Sequence, residues 1–384
     1  MIKVCHIADH LTGKADGIYT QLHLQLRLMD RKRFEYHIIL AYPIENLEVL
    51  EYAGIKVKIL PNLRSKLPLV AFIKIIYYII NNNIDVLHVH FLKPFVIIGI
   101  ANIFLRKGSI YNYHGLSFDN LFNNRIETTI YKIFNSFINL MKSYDLIIAP
   151  SEESKRKLHS ENRFNIPIES YYVGMDIHLL SGNLNAKVKK FFENLKKDSL
   201  IIGIVARIDI AKRIDNAIKI YAEILKYHPK IALVIMGDGD KTEDIKLLIN
   251  KMGLGEKVHL LGFVSNARLY IKYFDIFLLT SDYEGFPVAI WEAMASGIPI
   301  VSSDVGGVRE ILENENCGYT YPVHNLSDAA ERLLELIKDE SKRIQLGKNG
   351  FNAIKQKYQT TRFIDKIHRI YENLASHNYE EKQI

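Results

Sequence analysis

At 384 residues and 44.4 kDa the chain is longer than one hydrophobic core usually organises, so two domains are expected. Its 48% hydrophobic and 24% charged residues exclude a disordered chain, and its two cysteines, Cys5 and Cys317, lie outside any Cys-x-x-Cys or Cys/His spacing, which excludes a disulfide framework and a zinc site. The formal charge of +7 lies almost wholly up to Gly174, with 21 Lys+Arg against 15 Asp+Glu there and 29 against 28 beyond it, which a solvated basic surface explains as well as a binding surface does.

The first strand is predicted over 2–7 and starts straight after Met1, with none of the basic, apolar and cleavage regions of a signal peptide. A cytoplasmic protein in a reducing compartment is expected. The loop after Ala8, Asp9-His10-Leu11-Thr12-Gly13-Lys14-Ala15-Asp16-Gly17-Ile18, lacks the Gly-x-Gly-x-x-Gly of a dinucleotide fold. A helical pattern over 19–29 leads to strands at 36–41 and 56–59, a helix over 69–81 and a strand at 86–90. The apolar runs 69–80 and 94–105 are broken by Lys74 and Asn102 and are each about a dozen residues, where a membrane-spanning helix needs roughly twenty. His88 and His90 alternate along 86–90 close to Asp85; without further ligands nearby, such a pair fits a metal site poorly. His114-Gly115 closes a strand at 109–113, and the carboxyl end of a strand is where a doubly wound sheet binds ligands. A lone histidine is more often structural than catalytic, but at this end of a strand it faces the crevice. A helix over 124–142 sets Ile126, Ile130, Ile133, Phe134, Phe137, Ile138 and Met141 in a stripe beside Arg125, Lys132 and Lys142. Such a helix suits either a core or a lipid interface. A strand at 146–149 completes the first series.

The pattern restarts after an irregular stretch at 173–185. Strands at 200–205, 231–236, 258–260, 276–279, 298–302 and 318–320 alternate with helices over 214–227, 242–252, 266–273, 288–295 and 308–313, the signature of a second parallel sheet with crossover helices. Arg207 and Lys212 follow the first of these strands, five residues apart; cations there can stabilise charge on a departing diphosphate, although an isolated pair reads better as solvated surface. Gly237-Asp238-Gly239 marks a tight turn, and Gly262-Phe263-Val264 a strand-to-helix turn with Ser265 capping 266–273. The densest motif, Ser281 to Gly297, follows strand 276–279. Pro287 suits the first turn of a helix, which sets Glu284, Gly285 and Phe286 at a helix N-terminus, where unpaired N–H groups favour phosphate. Glu292 stands two turns beyond Glu284. Past Asn325 the pattern is helical, over 327–339, 340–357 and 361–375, and Phe363, Ile367, Ile370, Tyr371 and Leu374 of the last helix need an apolar partner.

The string Glu284-Gly285-Phe286-Pro287, the second glutamate at 292, the run Ala293-Met294-Ala295-Ser296-Gly297-Ile298-Pro299-Ile300-Val301 and then Gly306-Gly307 resemble the donor-binding signature of glycosyltransferase family 4. The other landmarks follow in the family's order along essentially the whole chain. The resemblance implies an α/β fold of the GT-B type: two doubly wound Rossmann-like domains facing a cleft, an acceptor domain over 1–174 and a donor domain over 175–358, with the C-terminal helix near 361–376 crossing back to the N-terminal domain. It implies a retaining transferase of the hexosyl or N-acetylhexosaminyl class that moves a sugar from a nucleoside-diphosphate donor, UDP favoured over GDP, to an acceptor hydroxyl without a metal or other cofactor, in cell-surface polysaccharide or glycolipid synthesis.

The segment from Gly203 to Arg213 is similar to the family's Gly-Arg-x-Lys-Gly stretch, with Ala206 before Arg207 and Arg213 where glycine is usual. By resemblance Arg207 and Lys212 neutralise the diphosphate, Glu284 with Gly285, Phe286 and Pro287 orients the sugar, and Glu292 holds the ribose. Gly237 shapes the cleft, the backbone of Gly262, Phe263 and Val264 contacts the base, Gly17 approaches the phosphate, and His114 contacts the donor sugar. The expected catalytic residues are thus His114, Arg207, Lys212 and Glu284. Expected partners are the nucleotide-sugar donor and a lipid-linked or glycan acceptor, with an anionic membrane surface as a candidate that would hold the protein at the inner face; no nucleic acid is expected. The rivals are a GT-B sugar epimerase or phosphorylase and a catalytically silent sugar-nucleotide-binding protein.

Overall fold

A computed structural model describes residues 1–9, 22, 25–43, 54–65, 68–114, 125–160 and 164–380. Two compact units emerge, one formed by Met1–Val173 with Thr360–Ile384 and the other by Gly174–Gln359. In the first, β1 (Ile2–Ala8), β2 (Phe34–Leu40), β3 (Lys56–Ile59), β4 (Val86–His90), β5 (Gly108–Asn112), β6 (Leu146–Ala149) and β7 (Ile168–Ser170) form a parallel sheet in the order β3-β2-β1-β4-β5-β6-β7. Helices α1 (Leu69–Asn81), α2 (Leu92–Leu105), α3 (Arg125–Leu140) and α4 (Glu152–Ser160) supply crossovers. Strands covered on both faces read as continuous apolar runs rather than alternation, and β4 and β5 are buried at every residue.

The second unit opens with α5 (Ala186–Leu195), then β8 (Leu200–Val205), α6 (Ile214–Leu225), β9 (Ile231–Met236), α7 (Thr242–Lys251), β10 (Val258–Leu260), β11 (Ile276–Leu279), α8 (Val288–Ala295), β12 (Ile300–Ser303), α9 (Val308–Asn314), β13 (Gly318–Tyr321), α10 (Leu326–Lys338) and α11 (Glu340–Gln356). Its parallel sheet runs β10-β9-β8-β11-β12-β13. Both sheets reverse their strand order beside their first strand, at β1/β4 and β8/β11. In open α/β sheets the ligand crevice lies at that reversal, outside the carboxyl ends of the strands.

The last helix, α12 (Thr360–Glu380), returns to the first unit and buries Phe363, Ile364, Ile367, Tyr371 and Ala375 among Val4, Tyr36, Ile38, Val86 and Ile110. Arg33 pairs with Glu372 and Tyr36 Oη lies 3.3 Å from His368 Nε2, so the helix is also anchored by polar contacts. The opposite face of that sheet is closed by α1 and α2, with Ile138 of α3 and Leu158 of α4 in the same cluster.

Some expected elements shift. The strand predicted from 298 begins at Ile300, because Pro299 has no N–H to give a ladder. The segment at 266–273 is a 3-10 helix over Ala267–Tyr273, and Asn266, at φ 54°, precedes it without a side-chain cap, so Ser265 does not cap it. β7, at three residues, and α5 lie below what the sequence pattern signals. Of the helical pattern over 19–29, residues 22 and 25–28 are helical, and 19–21, 23 and 24 fall outside the described residues.

Candidate active site

Because β8 pairs with β11 at the reversal, the loops that follow these two strands are neighbours although some seventy residues separate them. The first loop is folded by Asp209, whose Oδ1 accepts hydrogen bonds from the Ala211 and Lys212 amides at 3.0 and 3.1 Å while Oδ2 accepts one from Arg207 Nε at 2.7 Å. A carboxylate that bonds amides two and three residues ahead is an Asx-type turn, and an aspartate placed two and three residues before Ala211 and Lys212 is its signal in the sequence. Thr280 at the end of β11 donates its hydroxyl to the Lys212 and Arg213 carbonyls at 2.9 and 3.0 Å, and the Asp282 amide bonds the Ala211 carbonyl at 2.8 Å. The two loops are thereby stitched together.

This stitching brings Lys212 Nζ to 2.5 Å from Glu284 Oε1, which also accepts from Ser281 Oγ at 2.7 Å. Both partners are largely buried, with side chains 22% and 12% exposed, so the charge-assisted bond is sheltered yet reachable. Glu284 is therefore not a helix cap: α8 begins after Pro287, whose position carries no side-chain cap bond. Gly285 and Phe286 lie between them, and the Phe286 ring stacks on Trp291 with centroids 4.5 Å apart. Arg207 is more exposed, at 55% of its side chain. Arg213, which stands where the family prefers glycine, adopts φ 48° in the left-handed region and offsets that strain with bonds to Asp215 at 2.9 Å and Asp282 at 3.1 Å.

Glycines let further loops close on this centre. A Cβ at Gly237 would lie 1.8 Å from the Ala206 carbonyl oxygen, and one at Gly306, at φ 59°, would lie 2.7 Å from the carbonyl oxygens of both Glu284 and Gly285. Only glycine fits such approaches. The Gly237 amide bonds the Gly262 carbonyl at 2.8 Å, which joins the turn of Gly262, Phe263 and Val264 to the same array and leaves the Phe263 ring 55% exposed beside it. Glu292, on α8, is half-buried, and its carboxylate has no hydrogen-bond partner among the described residues; burial pushes it up to about 7, partly opposed by Arg268.

In the other unit His114 follows β5, and its Nε2 lies 3.3 Å from His90 Nδ1. The chain continues inward: His90 Nε2 is 3.1 Å from His6 Nδ1, His6 Nε2 is 3.4 Å from Tyr371 Oη, and Tyr371 Oη is 2.6 Å from His88 Nδ1. The expectation that His88 and His90 lack further ligands nearby is thus corrected. His6 stands beside them because β1 pairs with β4 in the register His6 to His88, and one nitrogen of each ring lies within 4.8 Å of the others. Apart from His88 Nε2, which is buried without a hydrogen-bond partner among the described residues, these ring nitrogens are engaged with one another, with Tyr371 or with His114, so the cluster is a buried hydrogen-bonded chain that reaches His114. Gly17 lies outside the described residues.

Comparison with known proteins follows the same division. Residues 185–353 match the family described as "Glycosyl transferases group 1" and residues 15–178 match "Glycosyltransferase Family 4", so the two matches lie in tandem along most of the chain. N-acetyl-alpha-D-glucosaminyl L-malate synthase of Bacillus anthracis is 24% identical over 297 residues, which is 75% of this chain and 74% of that protein. UDP-Gal:alpha-D-GlcNAc-diphosphoundecaprenol alpha-1,3-galactosyltransferase of Escherichia coli is 28% identical over 232 residues, 56% of this chain and 58% of that one. Among solved structures, Anabaena HepE in complex with UDP aligns with a TM-score of 0.80 at 21% identity and covers 97% of this chain and 100% of its own.

Proposed function

Because the chain belongs to glycosyltransferase family 4 and carries its GT-B fold, we propose that this glycosyltransferase is a retaining enzyme that moves a hexosyl or N-acetylhexosaminyl group from a nucleoside-diphosphate sugar, UDP favoured, to the hydroxyl of a lipid-linked or glycan acceptor in cell-surface polysaccharide or glycolipid synthesis. The observation that carries this reading is the Lys212–Glu284 pair, a cation and a carboxylate held together at the β8/β11 reversal with Arg207 on the same loop. In this reading Arg207 and Lys212 meet the diphosphate and stabilise the charge that grows on it as the glycosidic bond breaks, which makes a metal unnecessary. When the diphosphate draws Lys212 to itself, Glu284 is left to accept hydrogen bonds from sugar hydroxyls. Glu292, a half-buried carboxyl without a hydrogen-bond partner among the described residues, suits the ribose hydroxyls, and the exposed Phe263 ring beside the Gly262 turn suits the base. His114, held by His90, is assigned to the reacting face of the sugar. The UDP complex of HepE and the UDP-Gal and N-acetylglucosaminyl chemistry in the relatives' names agree with the donor class.

A donor and acceptor screen tests this. Nucleotide release from UDP-sugars should rise on addition of an acceptor, with the anomeric configuration of the product matching that of the donor. Release with inversion would refute the retaining step, epimerised sugar or phosphate-dependent release would favour the GT-B rivals, and binding without release would favour a silent binding protein.

A further inference from the structure

The first unit presents an apolar surface that sugar transfer does not use. Helix α1 buries Ala71, Ile75 and Ile79 in the core and turns Leu69, Ile73, Tyr77 and Ile80 outwards, at 67, 66, 68 and 54% exposure. Those four lie three and four residues apart and so form one face. A solvated helix face carries charge there, as α7 does with Glu243, Asp244 and Lys246. Helix α2 packs against α1 on one side and α3 on the other, and both add to the surface. Phe104 of α2 is 79% exposed, and α3 buries Ile138 against Gly99 while leaving Phe137 and Leu140 in solvent.

Basic residues outnumber acidic ones around this surface, where Asp85 after α1 and Asp145 after α3 accept hydrogen bonds from the Lys3 and Ser109 amides. Neither α1 nor α2 contains an aspartate or glutamate, and α3 contains one, Glu127. Lys74 within α1, Arg106 just after α2 and Lys142 just after α3 are exposed cations. An apolar face of aliphatic and aromatic side chains rimmed by cations complements an anionic lipid interface, where acyl chains accept the former and headgroups the latter. A protein partner of mixed surface would find no acidic group on α1 or α2 with which to pair. At 13 residues α1 is about 20 Å long, too short to cross a bilayer core of roughly 30 Å, and no helix among the described residues is long and apolar enough to span a membrane.

We propose that the outer face of α1, α2 and α3 seats this protein in the interfacial layer of an anionic bilayer. The surface lies chiefly on α1, which the sequence pattern marks only as a helix and an apolar run too short to span a membrane, and only partly on α3. The proposal rests on the transferase reading for its purpose, to meet a membrane-held acceptor, but lipid binding is measured without any donor, so the two fail separately. The full chain should co-sediment with phosphatidylcholine vesicles containing phosphatidylglycerol, less with phosphatidylcholine alone, and less as salt rises. Ile73→Ser with Tyr77→Ser should weaken vesicle binding by about tenfold or more. Lys74→Glu with Lys142→Glu should weaken it by at least about fivefold and flatten the salt dependence. These side chains are exposed, so thermal unfolding should match wild type; if the apolar variant unfolds early, the charge variant decides alone. Wild type that ignores anionic vesicles at low salt, or a charge variant that binds them as wild type does, overturns the proposal. Self-association in solution that the apolar variant abolishes, without lipid binding, would reassign the face to a second copy of the chain.

Discussion

At the residue scale the centre of the second unit is a short circuit of charge: Asp209 holds Arg207 and shapes the loop, while Lys212 is parked on Glu284. Arg207→Ala and Lys212→Ala are each expected to lower turnover by on the order of a hundredfold or more, because the lost charge matters most as the diphosphate departs. Stability should change by less than about 1 kcal/mol for Arg207→Ala, whose side chain is mostly exposed, and by more for Lys212→Ala, which leaves the largely buried Glu284 carboxylate without its cation. Glu284→Gln should lower turnover and leave nucleotide affinity largely intact. Near-normal turnover in both cation variants would remove the diphosphate role, and loss of free-nucleotide binding in Glu284→Gln would show that Glu284 only maintains the loop. Arg213 supplies a separate test of conformation. In its left-handed position, Arg213→Gly loses the bonds to Asp215 and Asp282 but also sheds the strain, whereas Arg213→Ala loses the bonds and keeps the strain. The alanine variant should therefore be less stable than the glycine variant by about 1 kcal/mol in urea unfolding. Equal stabilities would mean that φ at this position is not what glycine serves in the family.

At the element scale, the helix that leaves the second unit completes the first. Phe363, Ile364, Ile367 and Tyr371 close one face of the first sheet, and Tyr371 caps the histidine chain through His88 and His6. Truncation after Gln359 should thus expose that face and unfold the first unit while the second keeps its protected amides. Hydrogen exchange on the truncated chain checks this, and full protection of β1 and β4 without α12 would show that the helix is dispensable. The amphipathic spacing of this helix is plain in the sequence, but amphipathicity names a face and not its partner. The same limit explains α3. Its stripe reads equally as core or interface, and in the structure Ile138 is buried while Ile133, Phe134, Phe137 and Met141 are exposed.

At the scale of the whole molecule the first unit should lose stability in acid. Burial holds His6 down to about 3 and His88 and His90 well below the ordinary histidine range, and among the described residues the titratable groups around them are one another, His114, Tyr371 and Tyr36. Below an unfolded-state value of about 6.5, the unfolded chain takes up protons that these native rings refuse. The first unit's stability is therefore full above that value and falls as pH drops through it, by up to about 1.4 kcal/mol per pH unit for each histidine. Glu292, in the second unit, acts the other way: raised to about 7 in the native state, it gains a proton before its unfolded counterpart, so its own contribution favours the fold as pH falls below 7, while His259 of the same unit, held down by burial, opposes it. Urea unfolding followed by hydrogen exchange at pH 7.5 and 5.5 should find the first unit opening earlier at the lower pH; indifference to pH would mean that the histidines are not buried as neutral rings. The sequence by itself determined the two parallel sheets and the segment from Ser281 to Gly307, because alternating strand and helix periods and a contiguous motif are local properties of the chain. Strand order is not local. The reversals that set β8 beside β11 and β1 beside β4 decided that Lys212 meets Glu284 and that His6 joins His88 and His90, and packing alone decided which apolar helix faces are covered and which, on α1, stay open. Periodicity along a chain reports which face of an element is apolar, whereas the partner of that face is chosen by contacts between residues far apart in sequence.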